Sequence, residues 1–209
     1  MATKTKTAAK PAKKKKSAKL KFKTGDFIVY PAHGVGKVVG IETETVIDMK
    51  VEVYVISFEQ DKMTLRVPTA KAESSNMRGL ANENVLKDAF TTLKGRARIK
   101  RTMWSRRAQE YESKINSGDF ILLSEVVRDL HRTDEQPEQS YSERQLYERA
   151  LDRMVREVAA IQKADRGQAM DQILETLSKA RARAAAKAAA KAEAEAEADN
   201  DDSDEEAAA

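Results

Sequence analysis

The chain has 209 residues, 34% of them charged, a formal net charge of +4 and no cysteine. That length and polarity fit two small domains with modest cores plus tails, and the missing cysteine excludes disulfides, thiolate metal sites and cysteine nucleophiles, as a reducing compartment permits. No apolar run approaches the ~20 residues of a membrane span, and the basic N-terminus lacks the apolar stretch of a signal peptide, so a cytoplasmic protein is expected.

From Lys4 to Lys23 every ionisable residue is a lysine, with Lys13 to Lys16 consecutive. Such a segment has too little apolar surface to offset the entropy of ordering, so residues 1–19 are expected as a disordered arm, either a loose binder of polyanions or a solubilising leader. Between Phe22 and Pro68 the pattern is that of strands. Asp26–Tyr30, Gly36–Thr45, Val51–Phe58 and Met63–Val67 are the expected strands, separated by turn signals at Thr24-Gly25-Asp26, Ala32-His33-Gly34, Asp48 and Gln60-Asp61-Lys62. Short strands at this spacing predict a small open barrel of the SH3 or Tudor kind over 20–75. In the third strand both alternating sets are apolar, Val51, Val53 and Val55 against Tyr54, Ile56 and Phe58. One face must pack inward, and the other is covered or left for a partner. Gly34-Val-Gly-Lys-Val-Val-Gly40 resembles a dinucleotide fingerprint only loosely, because it leads into a strand; its glycines read as turn and bend residues.

After Glu73 the period becomes helical. Asn82 is placed to cap a helix carrying Leu86, Phe90 and Leu93, with Gly95 as its stop. A second helix runs from Trp104 to about Ile115, and Leu123, Val126, Val127 and Leu130 form the stripe of a third. Ser140 and Glu143 have the spacing of a capping box for a long fourth helix, faced by Tyr147, Leu151, Met154, Val158 and Ile161. Asp165 and Gly167 are expected to break it before a fifth stripe of Met170, Ile173, Leu174 and Leu177. Carboxylates on these helices stand four residues from Lys or Arg and read as solvated surface pairs. Past Lys179 the Ala, Lys, Arg and Glu residues favour helix but offer no large side chain to dock, so 179–209 is expected to project and fray as an acidic tail. The expected fold is α+β: a small Tudor/SH3-like β-barrel over 20–75, then an all-α domain over 76–178, between disordered tails.

Chemistry-bearing motifs are sparse. His33 and His131 stand alone in separate domains, no phosphate loop occurs, and Asp199–Glu206 lacks the turn glycine of a calcium loop. No catalytic residue, metal or cofactor is expected. The single tryptophan, Trp104, closes a run from Lys94 to Arg107 that contains no acid. Two readings of it stay open at this level. With Ala108, Tyr111 and Ile115 it falls on the stripe of a packed helix. If Thr102 caps that helix, the ring lies in the first turn among Lys100, Arg101, Arg106 and Arg107, where a flat apolar group between cations suits a nucleic-acid backbone and its bases.

Longer strings carry a more specific signal. Phe22-Lys-Thr-Gly-Asp-Phe-Ile-Val-Tyr-Pro-Ala-His-Gly-Val-Gly36, Arg66-Val-Pro68, Trp104-Ser-Arg-Arg107, Asn116-Ser-Gly-Asp119 and Val126-Val-Arg-Asp-Leu130, in this order, closely resemble the CarD/CdnL family of bacterial transcription regulators, from roughly Leu20 to Leu177. The resemblance implies a Tudor-like domain, shared with transcription-repair coupling factors, that binds the β subunit of RNA polymerase. It implies a helical domain that contacts promoter DNA at the upstream edge of the −10 element and stabilises the open complex. Trp104 matches the family's minor-groove wedge, Arg106 and Arg107 match the basic residues beside it, and Lys100 and Arg101 extend that DNA-binding set. Ile56, Arg66 and Pro68 fall where the family's polymerase contacts lie, and Glu44 departs from relatives that carry a cation there. The implied protein is a monomeric, non-enzymatic regulator in the nucleoid, with polymerase and promoter DNA as partners and with no membrane, small-molecule substrate or cofactor. Two rivals follow from the residues: a nucleoid-associated, linker-histone-like protein acting through its lysine arm, and a ligand-binding module or enzyme using the barrel cavity.

Overall fold

The computed structural model of the chain describes residues 21–46, 49–72, 74–132 and 139–206. The arm expected over 1–19 lies outside them, as does the turn expected at Asp48. Five strands, β1 (Phe27–Tyr30), β2 (Gly34–Val46), β3 (Met49–Phe58), β4 (Met63–Pro68) and β5 (Arg78–Gly79), form one sheet in the order β4-β3-β2-β1-β5. Every neighbouring pair is antiparallel. The register sets Val38 opposite Ile56, Ile56 opposite Leu65, and Tyr54 between Ile41 and Val67, so these side chains share one face. With Phe22, Ile28, Phe58, Ala72 and Met77 they build the core of the β-rich half. The Tyr54 hydroxyl accepts the Lys21 and Phe22 amides at 3.0 and 3.4 Å and so pins the incoming chain over that core. Gly36 is required by packing, because a Cβ there would meet Phe58 and Ile56 at 2.7 to 2.9 Å. A bulge between Val38 and Gly40 bends the long second strand.

The opposite face of β3 is covered from its two neighbours. Arg66 on β4 reaches Glu44 and Glu42 on β2, at 3.1 and 3.7 Å. Since β3 runs between those strands, this ion group spans it and roofs Val53 and Val55, which are buried. Both apolar sets of the third strand are thereby accounted for. The two-residue strand β5 lies beyond residue 75, where no sequence pattern announced it.

Five helices follow: α1 (Glu83–Leu93), α2 (Trp104–Asn116), α3 (Phe120–Leu130), α4 (Tyr141–Gln162) and α5 (Arg166–Glu206). Their apolar stripes meet in one cluster that includes Leu93, Tyr111, Ile115, Phe120, Met154, Val158, Ile173 and Leu177. The capping box is present, with Ser140 and Glu143 bonded reciprocally, and Asp119 caps α3 by accepting the Ile121 and Leu122 amides. Three local expectations are corrected. The N-cap of α2 is Met103 instead of Thr102, and it makes no side-chain cap bond. The break after α4 begins at Lys163, whose φ is 52°, and includes Asp165 as expected, but Gly167 lies inside the first turn of α5, its amide bonded to Asp165. Docking of α5 continues past Lys179, because the Arg181 guanidinium donates to the Arg128 and His131 carbonyls at 2.9 and 3.2 Å and satisfies the end of α3.

Helix α4 also fastens the helices to the sheet. Arg78 of β5 donates two parallel bonds to the Glu157 carboxylate, at 2.6 and 2.9 Å, and a third to the Gly118 carbonyl in the turn between α2 and α3. One turn earlier on α4, Arg153 donates to the Pro31 and Ile115 carbonyls at 2.8 and 2.9 Å and to that of Ala32. Glu157 is only 2% exposed, so its expected role as a solvated partner of a residue four positions away is corrected: its partner stands 79 residues earlier in the chain.

Candidate nucleic-acid interface

The N-terminal ends of α2 and α4 lie side by side, joined through Trp104. Its indole Nε1 donates to the Ser142 hydroxyl at 3.0 Å, while its ring stands 6.5 Å from that of Tyr111 and packs on the edge of the helical core. Both open readings therefore apply to different parts of one side chain: its inner edge is packed and its N–H satisfied, yet the residue is only half-buried. Beside it, Met103 is 81% exposed and Tyr141 77%, the two most exposed large apolar side chains among the described residues. Met103 adjoins Trp104 and Tyr141 adjoins Ser142 in sequence, so these exposed side chains and the half-buried Trp104 form an apolar ridge beside the Trp104–Ser142 contact, at two helix ends whose amide dipoles point outward.

The cations around this ridge divide into two kinds. Arg101 and Arg106 are exposed, and neither side chain has a hydrogen-bond or ion-pair partner among the described residues. Lys100 donates to both oxygens of Glu110 at 2.7 and 2.9 Å and, with Lys114 also near, holds that carboxyl below its ordinary pKa. Arg107 lies 5.5 Å from the Trp104 ring centroid and 3.8 Å from Glu143, with its Nε enclosed. Its guanidinium lies over one face of the ring. In the cleft of about 210 Å³ below it, Lys114 pairs with Glu125 and Arg128 with Asp129, at 2.9 and 2.8 Å. Inside that cleft Lys100, Lys114 and Arg128 are paired with the acids that line it, whereas on the outer rim Arg101 and Arg106 stand beside the apolar ridge without an acid in the first turn of α2. A surface of this make-up suits a polyanion carrying flat groups.

On the sheet, Glu44, Arg66 and Pro68 share the face roofed by the Arg66 ion group, since Pro68 stands opposite Val53 and Arg66 opposite Val55. Ile56 does not join them. It points into the core with no exposed surface, so its expected contact with a partner is corrected to a packing role. His33 occupies the turn after β1, stacked on Tyr30 at 5.8 Å and 3.5 Å from Asp61. His131 ends α3 and bonds the Tyr147 hydroxyl at 2.9 Å. Met103, Tyr141 and Ser142 were missed by the sequence reading. One signal was available for Tyr141: it is an aromatic residue outside the apolar stripe of its own helix.

Comparison with known proteins divides the chain where the structure does. A family model described as the CarD-like/TRCF RID domain matches residues 22–81, and another described as CarD, C-terminal domain matches 88–174. A protein of Bacillus subtilis (strain 168) named "Putative transcription factor YdeB" is 31% identical over 140 residues, which cover 67% of this chain and 92% of that protein.

Proposed function

The chain belongs to the CarD family of transcription factors, and from that premise we propose that it binds RNA polymerase and promoter DNA together and stabilises the open complex during initiation. The observation that carries the DNA half is the ridge of Met103, Trp104 and Tyr141 beside Arg101 and Arg106, which are unpaired among the described residues. The two guanidinium groups hold phosphates and the ridge presses against the minor groove at the upstream edge of the −10 element. Inserting apolar side chains there costs a few kcal/mol of unstacking, which is recovered only where the duplex is already opening. A protein that binds the open state more tightly than the closed one shifts the equilibrium by the ratio of the two affinities and by no more.

The polymerase half rests on the match of residues 22–81 to an RID model and on the exposed face of Arg66 and Pro68. Docking of this face on the β subunit holds the ridge near DNA at high effective concentration, so weak intrinsic DNA affinity suffices. Glu44 and Glu42 neutralise Arg66 in the free protein, so the docking contact includes an exchange of carboxylate partners.

The test separates the two halves. Trp104→Ala leaves polymerase binding intact and shortens the open-complex lifetime about tenfold, equivalent to ~1.4 kcal/mol. Trp104→Phe, which keeps most of the packing, gives an intermediate lifetime. Arg66→Ala weakens capture of the β subunit while DNA binding by the free protein is retained. An open-complex lifetime unchanged by Trp104→Ala removes the wedge.

A further inference from the structure

Three charged side chains lie at the junction between sheet and helices, far from the Trp104 ridge, and the proposed function gives them no direct role. Arg78 belongs to the edge strand β5, and Arg153 and Glu157 stand one turn apart on α4. Together they bind four separate pieces of chain: β5 through Arg78 itself, the turn after β1 through Pro31 and Ala32, the end of α2 through Ile115, and the turn between α2 and α3 through Gly118. The Ala81 amide adds a bond to Glu157 at 3.2 Å. Burial pushes the Arg153 guanidinium down to about 10, which leaves it charged at neutral pH. Glu157 is likewise nearly without solvent contact. Charges so placed are restrained in direction as well as distance, because the Arg78–Glu157 pair is bidentate and every carbonyl acceptor belongs to the backbone.

We infer that Arg78, Arg153 and Glu157 are positioning residues that lock the sheet to the helical half and thereby set where the Trp104 ridge sits relative to the sheet face of Arg66 and Pro68. Helix α2 is the lever. Arg153 holds its C-terminal end at Ile115, and Trp104 lies at its other end, about 16 Å away at 1.5 Å per residue. A swing of about 10° at the joint therefore moves the ridge by about 3 Å, comparable with the rise of one base-pair step. A joint held by hydrogen-bonded charges suppresses that swing, whereas an apolar contact of equal area would leave the two faces free to slide.

The consequence for open complexes rests on the proposed function; the lock itself does not, and the experiment reads the two separately. With no native cysteine in the chain, spin labels are attached to Thr64→Cys on β4 and Gln109→Cys on α2, both exposed positions. The parent gives one narrow distance distribution. Glu157→Gln, or the uncharged pair Arg78→Gln with Glu157→Gln should the single change fail to fold, broadens it. A distribution left narrow in a folded variant overturns the lock.

With purified bacterial RNA polymerase and a promoter fragment, the same loosened variant without labels shortens the open-complex lifetime about tenfold at unchanged polymerase affinity. Relocking restores it. A Cβ built on Gly118 stands 3.7 Å from that of Pro31, within disulfide range, so Pro31→Cys with Gly118→Cys introduced into the loosened variant should recover the lifetime when oxidised and lose it when reduced. Comparing the two redox states of one protein cancels the strain of a side chain at φ +77°. A lifetime insensitive to loosening, in a protein whose parent does extend it, overturns the lever. If the parent fails to extend it, the proposed function falls and the label distances alone decide the lock.

Discussion

The junction at Glu157 and the ridge at Trp104 are both rich in arginine, but they treat it in opposite ways. At the junction Arg78, half-buried, and Arg153, buried, direct their donors at a carboxylate and at backbone carbonyls. At the ridge Arg101 and Arg106 stand in water with no partner among the described residues, beside the most exposed apolar side chains. A guanidinium whose bonds are all made within the chain has nothing left to offer a ligand, and its removal strands the groups it served. An unpartnered one contributes little to folding and keeps its donors for something outside. The contrast also sorts the cations first grouped together around Trp104 on sequence: Lys100 and Arg107 belong with the internal pairs, and Arg101 and Arg106 with the free ones.

The contrast is broken most directly by measuring stability at both places. Glu157→Ala strands the half-buried Arg78 and the Ala81 amide without their carboxylate and is expected to destabilise the chain by about 1–3 kcal/mol in urea unfolding, the range for removing one partner of a desolvated hydrogen bond. Arg106→Ala is expected to change the same midpoint by no more than ~0.5 kcal/mol, as for an exposed surface substitution. Equal effects at the two sites would mean that the distinction between committed and free arginines has no energetic content.

DNA affinity sharpens it from the other side. Each phosphate that the protein no longer neutralises should lower the slope of log affinity against log salt by ~0.9, so Arg101→Ala and Arg106→Ala together are expected to reduce it by roughly 2 on a forked duplex. Lys100→Ala, which removes a cation already bonded to Glu110, is expected to change the slope far less. A titration of fluorescent forked DNA at several salt concentrations reads both, and a reduction by Lys100→Ala as large as that of either arginine would place Lys100 on the DNA backbone after all.

Much of this arrangement was legible in the sequence, though unevenly. The strands before Pro68 and the apolar stripes of the helices were visible because burial imposes periods of two and 3.6, and the Ser140–Glu143 box was visible because its two residues satisfy each other locally. Strand β5 was not, since two residues carry no period and Arg78 pairs with β1 only through the tertiary fold. Ile56 was named with Arg66 and Pro68 through the family resemblance alone, and since β3 is apolar on both sides its own alternation could not tell the core face, where Ile56 lies, from the one roofed by an ion group. Glu157 was read as a surface acid for a related reason: four residues after Arg153 it has the spacing of a solvated pair, and its true partner is remote in sequence. The ridge was half legible. An acid-free run pointed to Trp104, but Tyr141 joins it only because Ser142 accepts the indole N–H across 38 residues of chain.

The smallest effect expected concerns His131, a half-buried imidazole held by bonds within the chain as the junction arginines are. His131 closes α3, bonded to Tyr147 and beneath Arg181, and burial first and the Arg181 charge second hold its pKa below 6.5. The folded protein therefore keeps this ring neutral while the unfolded chain protonates it. As pH falls from 6.5 toward the lowered folded value, the unfolded state takes up a proton that the folded state refuses, so stability declines through that window and levels off below it. Urea midpoints of the parent should fall over that interval, and His131→Asn should flatten the part of the slope that this ring supplies. The arginines of the ridge keep their charge throughout, so forked-DNA affinity is expected to stay level across the same pH values. A parent and His131→Asn that titrate alike would show that acid sensitivity arises elsewhere in the packed body, whereas a ridge that loses affinity in step with the fall in stability would mean that its free arginines depend on the α3 end for their placement.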